Sequence, residues 1–325
     1  MGTVTFSQPI GYLEKGTDFD GTLRTAEKAI DYFSLASCLP ALDHWLDKNP
    51  IMHIGPPGFS GVVNLSVKHL VARYQGTDTT HHSASQSDYL DHFIEAKTQN
   101  PTTINDNQIV SWLMINLIAG ADTTASTIRS ALYYSLRTPG VWTRLRDELA
   151  TAGCTPDQCP LPYKALRSLP YLEAVIHEAL RYLPGVALSL ERYVPEAGQG
   201  LPDGSFLPGG SILAFNPYVI CRNKDVFGED ADDFRPERWL QGDKESDKAY
   251  AERLRLMNHA DLSFGAGSRI CIGKHLALMQ VYKVLATLVV LYDVELDKPE
   301  IEWKVIVSWF VRQQGLIARM RRRQR

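Results

Sequence analysis

The longest helix-compatible pattern of apolar and polar positions runs from Thr103 to Arg137. Thr103 and Asp106 form a capping pattern at its start, and Pro139-Gly140 ends it. Its apolar stretch, Ile109 to Ala121, is too short to cross a bilayer and is broken by polar and glycine positions. The pattern predicts a buried helix that, at about 1.5 Å per residue, is long enough to cross a domain.

Shorter helical patterns lie on both sides of this one. Upstream, residues 22–50 are helix-compatible with a break at Pro40. Downstream, apolar residues at helical spacing predict helices over Val141 to Thr151, Pro170 to Leu183 and Cys271 to Tyr292.

Two parts of the chain have the texture of strands. Between Ser189 and Phe215, the turn signals Pro202-Asp203-Gly204 and Pro208-Gly209-Gly210 separate short apolar runs, which predicts a small antiparallel sheet. From Asp293 onward, alternation predicts two or three short strands. The expected fold class is therefore mainly α with small β-sheets (α+β), in one domain over residues 1–325.

Composition excludes several classes of protein. The 325 residues are 44% hydrophobic and 22% charged, so the chain is neither collagen-like nor disordered. The net charge of −3 gives no basic field for nucleic acid, and the arginine-rich last 14 residues are interpreted as a solvated end. Five cysteines, an odd number without a signal peptide, indicate thiols in a reducing compartment.

The segment from Phe264 to Gly273 carries the strongest chemical signal. Cys271 lies at the start of a long apolar helix, where exposed amides favour a thiolate, and a glycine-rich loop precedes it. Arg269 is available to pair with an acidic group on a bound ligand. A dinucleotide loop is disfavoured because position 270 is not glycine, whereas a buried structural cysteine is the more serious alternative.

This segment matches the F-x-x-G-x-R-x-C-x-G signature at every fixed position and resembles the cytochrome P-450 family. The resemblance implies that the Cys271 thiolate is the proximal ligand of heme iron. It also implies that neighbouring residues of the loop hold the cofactor, namely Phe264, Gly265, Arg269 and Gly273. Among them, Arg269 is expected to pair with a heme propionate.

Two further segments resemble the same family. Glu178-Ala179-Leu180-Arg181 places opposite charges on one helix face, and by resemblance Arg238 joins them in a buried cluster that supports the heme loop. Considered alone, such a pair is more typical of a solvated surface.

The other segment is the Ala119–Thr124 stretch of the long helix. By resemblance, Gly120 makes room for dioxygen while Asp122 and Thr123 relay protons to iron-bound oxygen. Close helix packing is an equally good reason for a glycine at position 120.

Family resemblance assigns two further functions downstream. Arg192 matches a position that pairs with a heme propionate, although Glu191 stands where proline is common. Substrate contacts are expected at Met114 to Ala121, Gly185 to Leu190 and Trp309 to Val311. The composition of these segments is equally that of a core.

The resemblance runs in family order from residue 1, and the opening residues resemble the middle of filamentous-fungal members that act on secondary metabolites and aromatic compounds. The expected fold is thus an N-terminally truncated cytochrome P-450 fold, without the membrane anchor, the first strands or the W-x-x-x-R helix. Family members are located at the endoplasmic-reticulum membrane on its cytosolic face. Membrane contact is expected only through the missing anchor.

The resemblance implies a heme-thiolate monooxygenase that oxidises a small apolar substrate with O2 and electrons from NADPH through a separate reductase. Two alternatives stay open. One is a truncated, non-catalytic remnant or gene-model fragment, and the other is a heme-thiolate protein that performs isomerisation or dehydration without a reductase.

Overall fold

The structure, a computed structural model, describes residues 1–36, 38–46, 49–52, 55, 58–78, 82–83 and 85–323. The chain forms two compact units, Met1–Asp122 and Thr123–Arg325. The boundary between the units falls within the long central helix.

Helices dominate the described residues, which confirms the mainly α prediction. They are α1 (Gly2–Phe6), α2 (Tyr12–Lys15), α3 (Thr22–Ala36), α4 (Pro40–Leu46), α5 (Ser60–Gln75), α6 (Tyr89–Gln99), α7 (Asp106–Arg137), α8 (Val141–Thr151), α9 (Tyr163–Leu166), α10 (Pro170–Tyr182), α11 (Pro217–Ile220), α12 (Lys224–Phe227), α13 (Asp247–Ala260) and α14 (Lys274–Leu291). Short 3-10 turns cover Pro156–Gln158, Pro236–Trp239 and Gly267–Arg269.

The strands form antiparallel pairs, as predicted between Ser189 and Phe215, and the part from Tyr292 onward forms four short strands where two or three were predicted. They are β1 (Leu190–Tyr193), β2 (Gln199–Gly200), β3 (Phe206–Leu207), β4 (Ile212–Phe215), β5 (Tyr292–Leu296), β6 (Lys304–Val307), β7 (Val311–Gln314) and β8 (Ala318–Arg322). The pairs are β1 with β4, β2 with β3, β5 with β8, and β6 with β7.

The start of α7 differs from the sequence prediction. The helix begins at Asp106, and the capping box consists of Asn105 and Gln108, not Thr103 and Asp106. Asn105 Oδ1 accepts from the Gln108 amide at 3.2 Å, and Gln108 Oε1 accepts from the Asn105 amide at 2.7 Å. The Asp106 carboxylate instead accepts a hydrogen bond from the Lys97 ammonium of α6 at 2.7 Å and does not cap α7.

In the first unit, the polar run from Gly76 to Asp88 is tied down at both ends. The Arg73 guanidinium binds Asp78, Asp88 and Asp91, and Asp88 caps α6. His82 Nε2 lies 2.8 Å from Asp91, whereas His81 lies outside the described residues. The Arg73 guanidinium therefore links the start of the segment that follows α5 to the start of α6.

The core of the second unit is built around α14. Its buried face packs against α8 and α10, and its largest fully buried residues include Tyr282 and Leu285. By length and apolar composition, α14 is the one helix among the described residues that could cross a membrane. The core helix of a soluble protein meets the same criterion, and this helix supplies seven buried residues to the core.

The arginine-rich end is exposed to solvent, as its charge predicts, with the Arg319 and Arg321 side chains 79% and 85% exposed, and it is also paired. β8 pairs with β5, and its arginines meet acidic residues on that strand or just after it. Arg319 lies 2.7 Å from Asp297, and Arg321 lies 3.5 Å from Asp293 across the strand pair. Backbone pairing and opposite charge therefore hold this segment in place.

Replacing Leu285 by Ala is expected to lower the free energy of unfolding by about 2–5 kcal/mol, because the side chain is fully buried and leaves a cavity. The neighbouring Val284 is 39% exposed and supplies the matched control, for which Val284→Ala is expected to cost less than about 1 kcal/mol. Urea unfolding followed by circular dichroism measures both. Equal losses in the two variants would contradict the placement of α14.

Candidate functional site

The Cys271 loop is closed by backbone hydrogen bonds rather than by helix structure. The Cys271 amide donates to the Phe264 carbonyl at 2.8 Å, and the Ile270 amide donates to Gly267 at 3.2 Å. Gly265 and Gly267 have φ values of 70° and 65°, a region that penalises any side chain. The loop shape thus depends on two of its glycines.

Cys271 itself lies three residues before the first helical residue, Lys274, whereas the sequence predicted a helix from Cys271 onward. Gly273 is the N-cap residue, and a Cβ there would lie 3.8 Å from Cys271 Sγ. The Lys274 amide donates to the Cys271 carbonyl at 3.3 Å. The thiol therefore stands just before the helix terminus, on the loop.

The surface around this thiol is apolar and open. Cys271 is exposed, and its neighbours Ile270 and Ile272 are 45% and 92% exposed. Ile270 and Ile272 thus place apolar side chains at the surface on both sides of the thiol, which is compatible with a surface that a ligand covers. Phe264 anchors the loop beneath, since it packs against the core of the unit.

Strand β1 runs beside this loop. Leu190 Cδ1 lies 3.9 Å from the position that a Cβ on Gly265 would take. Arg192 follows two residues later, so its side chain leaves the strand on the same side as Leu190. β1 therefore carries Arg192 toward the loop that holds Cys271.

Arg192 and Arg269 are both exposed cations. Arg192 donates to the Glu191 carbonyl at 2.6 Å, and among the described residues neither arginine has a carboxylate partner. Most other arginines of this unit are ion-paired, for example Arg235 and Arg253. An exposed thiol on an apolar surface with two cations nearby fits a flat apolar macrocycle that bears carboxylates, as heme does.

A buried ion cluster supports this loop, as the sequence predicted. Glu178 and Arg181 are completely buried, and Arg238 is 2% exposed. Arg181 binds Glu178 in a two-pronged pair, Nε to Oε2 at 2.8 Å and Nη2 to Oε1 at 2.7 Å. Arg238 Nε donates to Glu178 Oε1 at 3.0 Å, which confirms the predicted three-residue cluster.

Further donors and acceptors complete the cluster. Glu178 also accepts from the Trp239 indole at 2.9 Å and from the Arg235 amide at 2.8 Å. The free corners of the two guanidiniums donate to backbone carbonyls, which are those of Cys221, Phe227, Asp230, Ala231 and Asp233. Buried charges that are hydrogen-bonded on every side form a rigid block.

Ser263 connects the Cys271 loop to this block. Its Oγ lies within hydrogen-bond distance of two acceptors, the Asp261 carboxylate and, at 3.0 Å, the Leu180 carbonyl on the helix that carries Glu178 and Arg181. Its amide is held by the Asp261 carboxylate at 2.9 Å. Sequence reasoning missed Ser263 and Trp239, since a serine before a loop and a tryptophan after an arginine carry no signal of their long-range partners.

Within the same unit, Thr123 lies against the segment expected to contact substrate. A Cβ on Gly185 would approach Thr123 Cβ at 3.2 Å, so α7 and this segment are in close contact. The Val311 amide donates to the Gly185 carbonyl at 3.1 Å, and Val186 forms a bridge with Phe310. Two of the three predicted substrate segments are therefore joined beside Thr123.

The other residues predicted on α7 belong to the first unit. Asp122 is half-buried, as is Thr123 next to it. Gly120 packs against Met1, because a Cβ there would lie 2.7 Å from Met1 Cε. Close packing, the alternative reason for a glycine at this position, is thus what the structure shows.

Three of the remaining cysteines are poor candidates for a metal ligand. Burial raises the pKa of the Cys221 thiol to about 12, and burial also raises the pKa values of Cys154 and Cys159. Such thiols stay protonated, whereas metal binding requires a thiolate. Cys38 is exposed but lies between α3 and α4, without a glycine loop.

Comparison with known proteins identifies the family and several relatives of this chain. The cytochrome P450 family model matches residues 4–316. The chain is 46% identical over 320 residues to the cytochrome P450 monooxygenase cfoH of Aspergillus candidus, which covers 98% of this chain and 59% of that protein.

Two other fungal relatives give the same result. The identity is 35% with the cytochrome P450 monooxygenase vrtE of Penicillium aethiopicum, over 96% of this chain and 61% of that protein. The identity is 33% with cicH, a cytochrome P450 monooxygenase of Emericella nidulans, over 99% of this chain and 63% of that protein. The chain thus spans about three fifths of the length of these relatives.

Replacing Glu178 by Gln is expected to lower the free energy of unfolding by about 3–5 kcal/mol, because two buried guanidiniums lose their shared charge partner. The exposed pair of Glu252 with Arg255 supplies the control, and Glu252→Gln is expected to cost less than about 1 kcal/mol. Urea unfolding measures both variants. A Glu178→Gln variant as stable as the Glu252→Gln variant would contradict the cluster.

Proposed function

The chain belongs to the cytochrome P450 family, and from this premise we propose that it is a heme-thiolate monooxygenase. The proposed reaction consumes a small apolar substrate, O2 and NADPH with one proton, and yields the hydroxylated substrate, water and NADP+. Electrons reach it from a separate NADPH-cytochrome reductase. The substrate belongs to fungal secondary metabolism, in keeping with the fungal relatives.

The observation that carries the proposal is the exposed thiol of Cys271 on an open apolar surface. In this proposal the Cys271 thiolate holds the iron, and Phe264, Gly265 and Gly273 shape the loop around it. Arg269 and Arg192 bind the propionates. Heme held in this way supplies the chemistry that activates dioxygen, which no amino-acid side chain can supply.

The protein's own residues would then perform three tasks. The Cys271 thiolate would hold the iron and would tune its chemistry as an electron-rich ligand. Asp122 would take protons from solvent, and the Thr123 hydroxyl would deliver them to the site where dioxygen is activated. Phe310 and Val311, together with Gly185 and Val186, orient an apolar substrate beside Thr123.

In the heme-loaded chain, Cys271→Ala is expected to abolish the shifted Soret band of the reduced carbon monoxide complex, because no other thiolate replaces the ligand. Cys38→Ser is the control, since Cys38 is also exposed but lies outside the loop. Absorption spectra of the reduced proteins with and without carbon monoxide measure the effect. A Cys271→Ala variant that keeps the band rules out the assignment, and a parent chain that takes up no heme favours a non-catalytic remnant.

Thr123→Ala is expected to separate NADPH consumption from substrate oxidation, with product per NADPH falling about tenfold or more and peroxide rising. Thr123→Ser retains the hydroxyl and is expected to restore most of the coupling. Reductase-supported turnover with peroxide and product quantified provides the test. Full coupling in Thr123→Ala would remove Thr123 from the proton relay, and turnover without NADPH would favour the isomerase or dehydratase alternative.

A further inference from the structure

A glutamine amide is buried between the β6–β7 hairpin and α7. Gln313 is 6% exposed, and its Nε2 lies 2.7 Å from Ser126 Oγ, 3.1 Å from the Ser126 carbonyl and 3.1 Å from Ser130 Oγ. Both serines are completely buried. The amide is therefore a buried polar connection between β7 and α7.

Such a group has no obvious value for stability alone. Gln313 Oε1 is buried and has no hydrogen-bond partner among the described residues. Its neighbour on the same strand face, Val311, packs with Tyr133 and Trp303 in an apolar cluster. An apolar side chain of similar size at position 313 would extend that cluster without burying an unpaired oxygen.

The contacts on either side of Gln313 form a closed circuit. Thr123 packs against Gly185, and the Gly185 carbonyl accepts from the Val311 amide. From Val311 the strand continues to Gln313, which returns to α7 at Ser126, one turn after Thr123. The hairpin is thus attached to α7 both through the substrate-lining segment and directly through this amide.

We propose that Gln313 is a positioning residue that fixes the hairpin residues Phe310 and Val311 relative to Thr123. It thereby sets which substrates fit beside Thr123. This inference rests on the proposed function. Without the amide, the hairpin keeps the hydrogen bond from the Val311 amide to Gly185 but loses its direct hydrogen bonds to α7. We therefore expect the affinity for bulky ligands beside Thr123 to change and the affinity for small ligands to stay the same.

The test compares Gln313→Met, which keeps the side-chain length but removes the hydrogen bonds, with Gln314→Met. Gln314 is the next residue of β7, is exposed, and leaves the opposite strand face, so it is a matched control. The heme-loaded full chain is titrated with imidazole and with 4-phenylimidazole, and binding is followed by the Soret shift. Gln313→Met is expected to change the 4-phenylimidazole Kd at least fivefold and the imidazole Kd less than twofold.

Hydrogen exchange at the Val311 amide gives a second measurement that needs no heme. Gln313→Met is expected to speed this exchange about tenfold, and Gln314→Met to leave it unchanged. Ser130→Ala removes one of the hydrogen bonds and is expected to act in the same direction by about twofold or more, which provides a milder variant if Gln313→Met fails to fold.

The outcomes separate this inference from the proposed function. Unchanged exchange in both Gln313→Met and Ser130→Ala would overturn the positioning role. Faster exchange at the Val311 amide together with equal changes in the two Kd values, or with no change in either, would overturn the specificity role. Gln313 would then be a structural residue only. A parent chain that binds neither heme nor imidazole would contradict the proposed function, and the exchange data would still decide whether Gln313 positions the hairpin.

Discussion

The second unit depends on one buried carboxylate. Glu178 is fully enclosed and accepts from two guanidiniums, an indole and a backbone amide. Removal of that anion would leave Arg181 with no carboxylate partner among the described residues and Arg238 with Asp230 alone, although both cations are desolvated. The turns around residues 221–239 are therefore fixed on α10 by charge as well as by apolar packing.

The Cys271 loop, whose turn depends on Gly265 and Gly267, is attached to this block. Ser263 attaches the loop to α10 through the Leu180 carbonyl, while Phe264 anchors it to the core and closes it onto the Cys271 amide. Because Ser263 and Phe264 fix the loop on the core, the Cys271 thiol can stay exposed without the loop folding over it. A rigid support of this kind keeps a binding site open.

Local patterns predicted most of the elements, and long-range contacts explain what they missed. The Glu178–Arg181 spacing is visible in the sequence, but the donation from Trp239, 61 residues away, is not. Both Thr103 and Asn105 are residue types that cap helices, so the sequence alone favours the earlier one. In the structure Asn105 is the cap, and Asp106 pairs with Lys97 instead. The arginines of β8 have the composition of a solvated end, and only the pairing with β5 reveals the aspartates opposite them. Most predicted site residues of the second unit lie on the Cys271 loop, whereas Arg192 lies on β1 and Thr123 on α7. The roles of all of them, like that of Asp122, come from family resemblance and stay predictions.

We propose that Cys271 binds a heme iron from a loop attached to the Glu178 cluster. X-ray absorption at the iron edge of the heme-loaded chain tests this ligation. We expect a sulfur scatterer in the first coordination shell beside the porphyrin nitrogens, and its loss in a chain that lacks the thiol at position 271. A first shell of nitrogen and oxygen alone in the unaltered chain would contradict it.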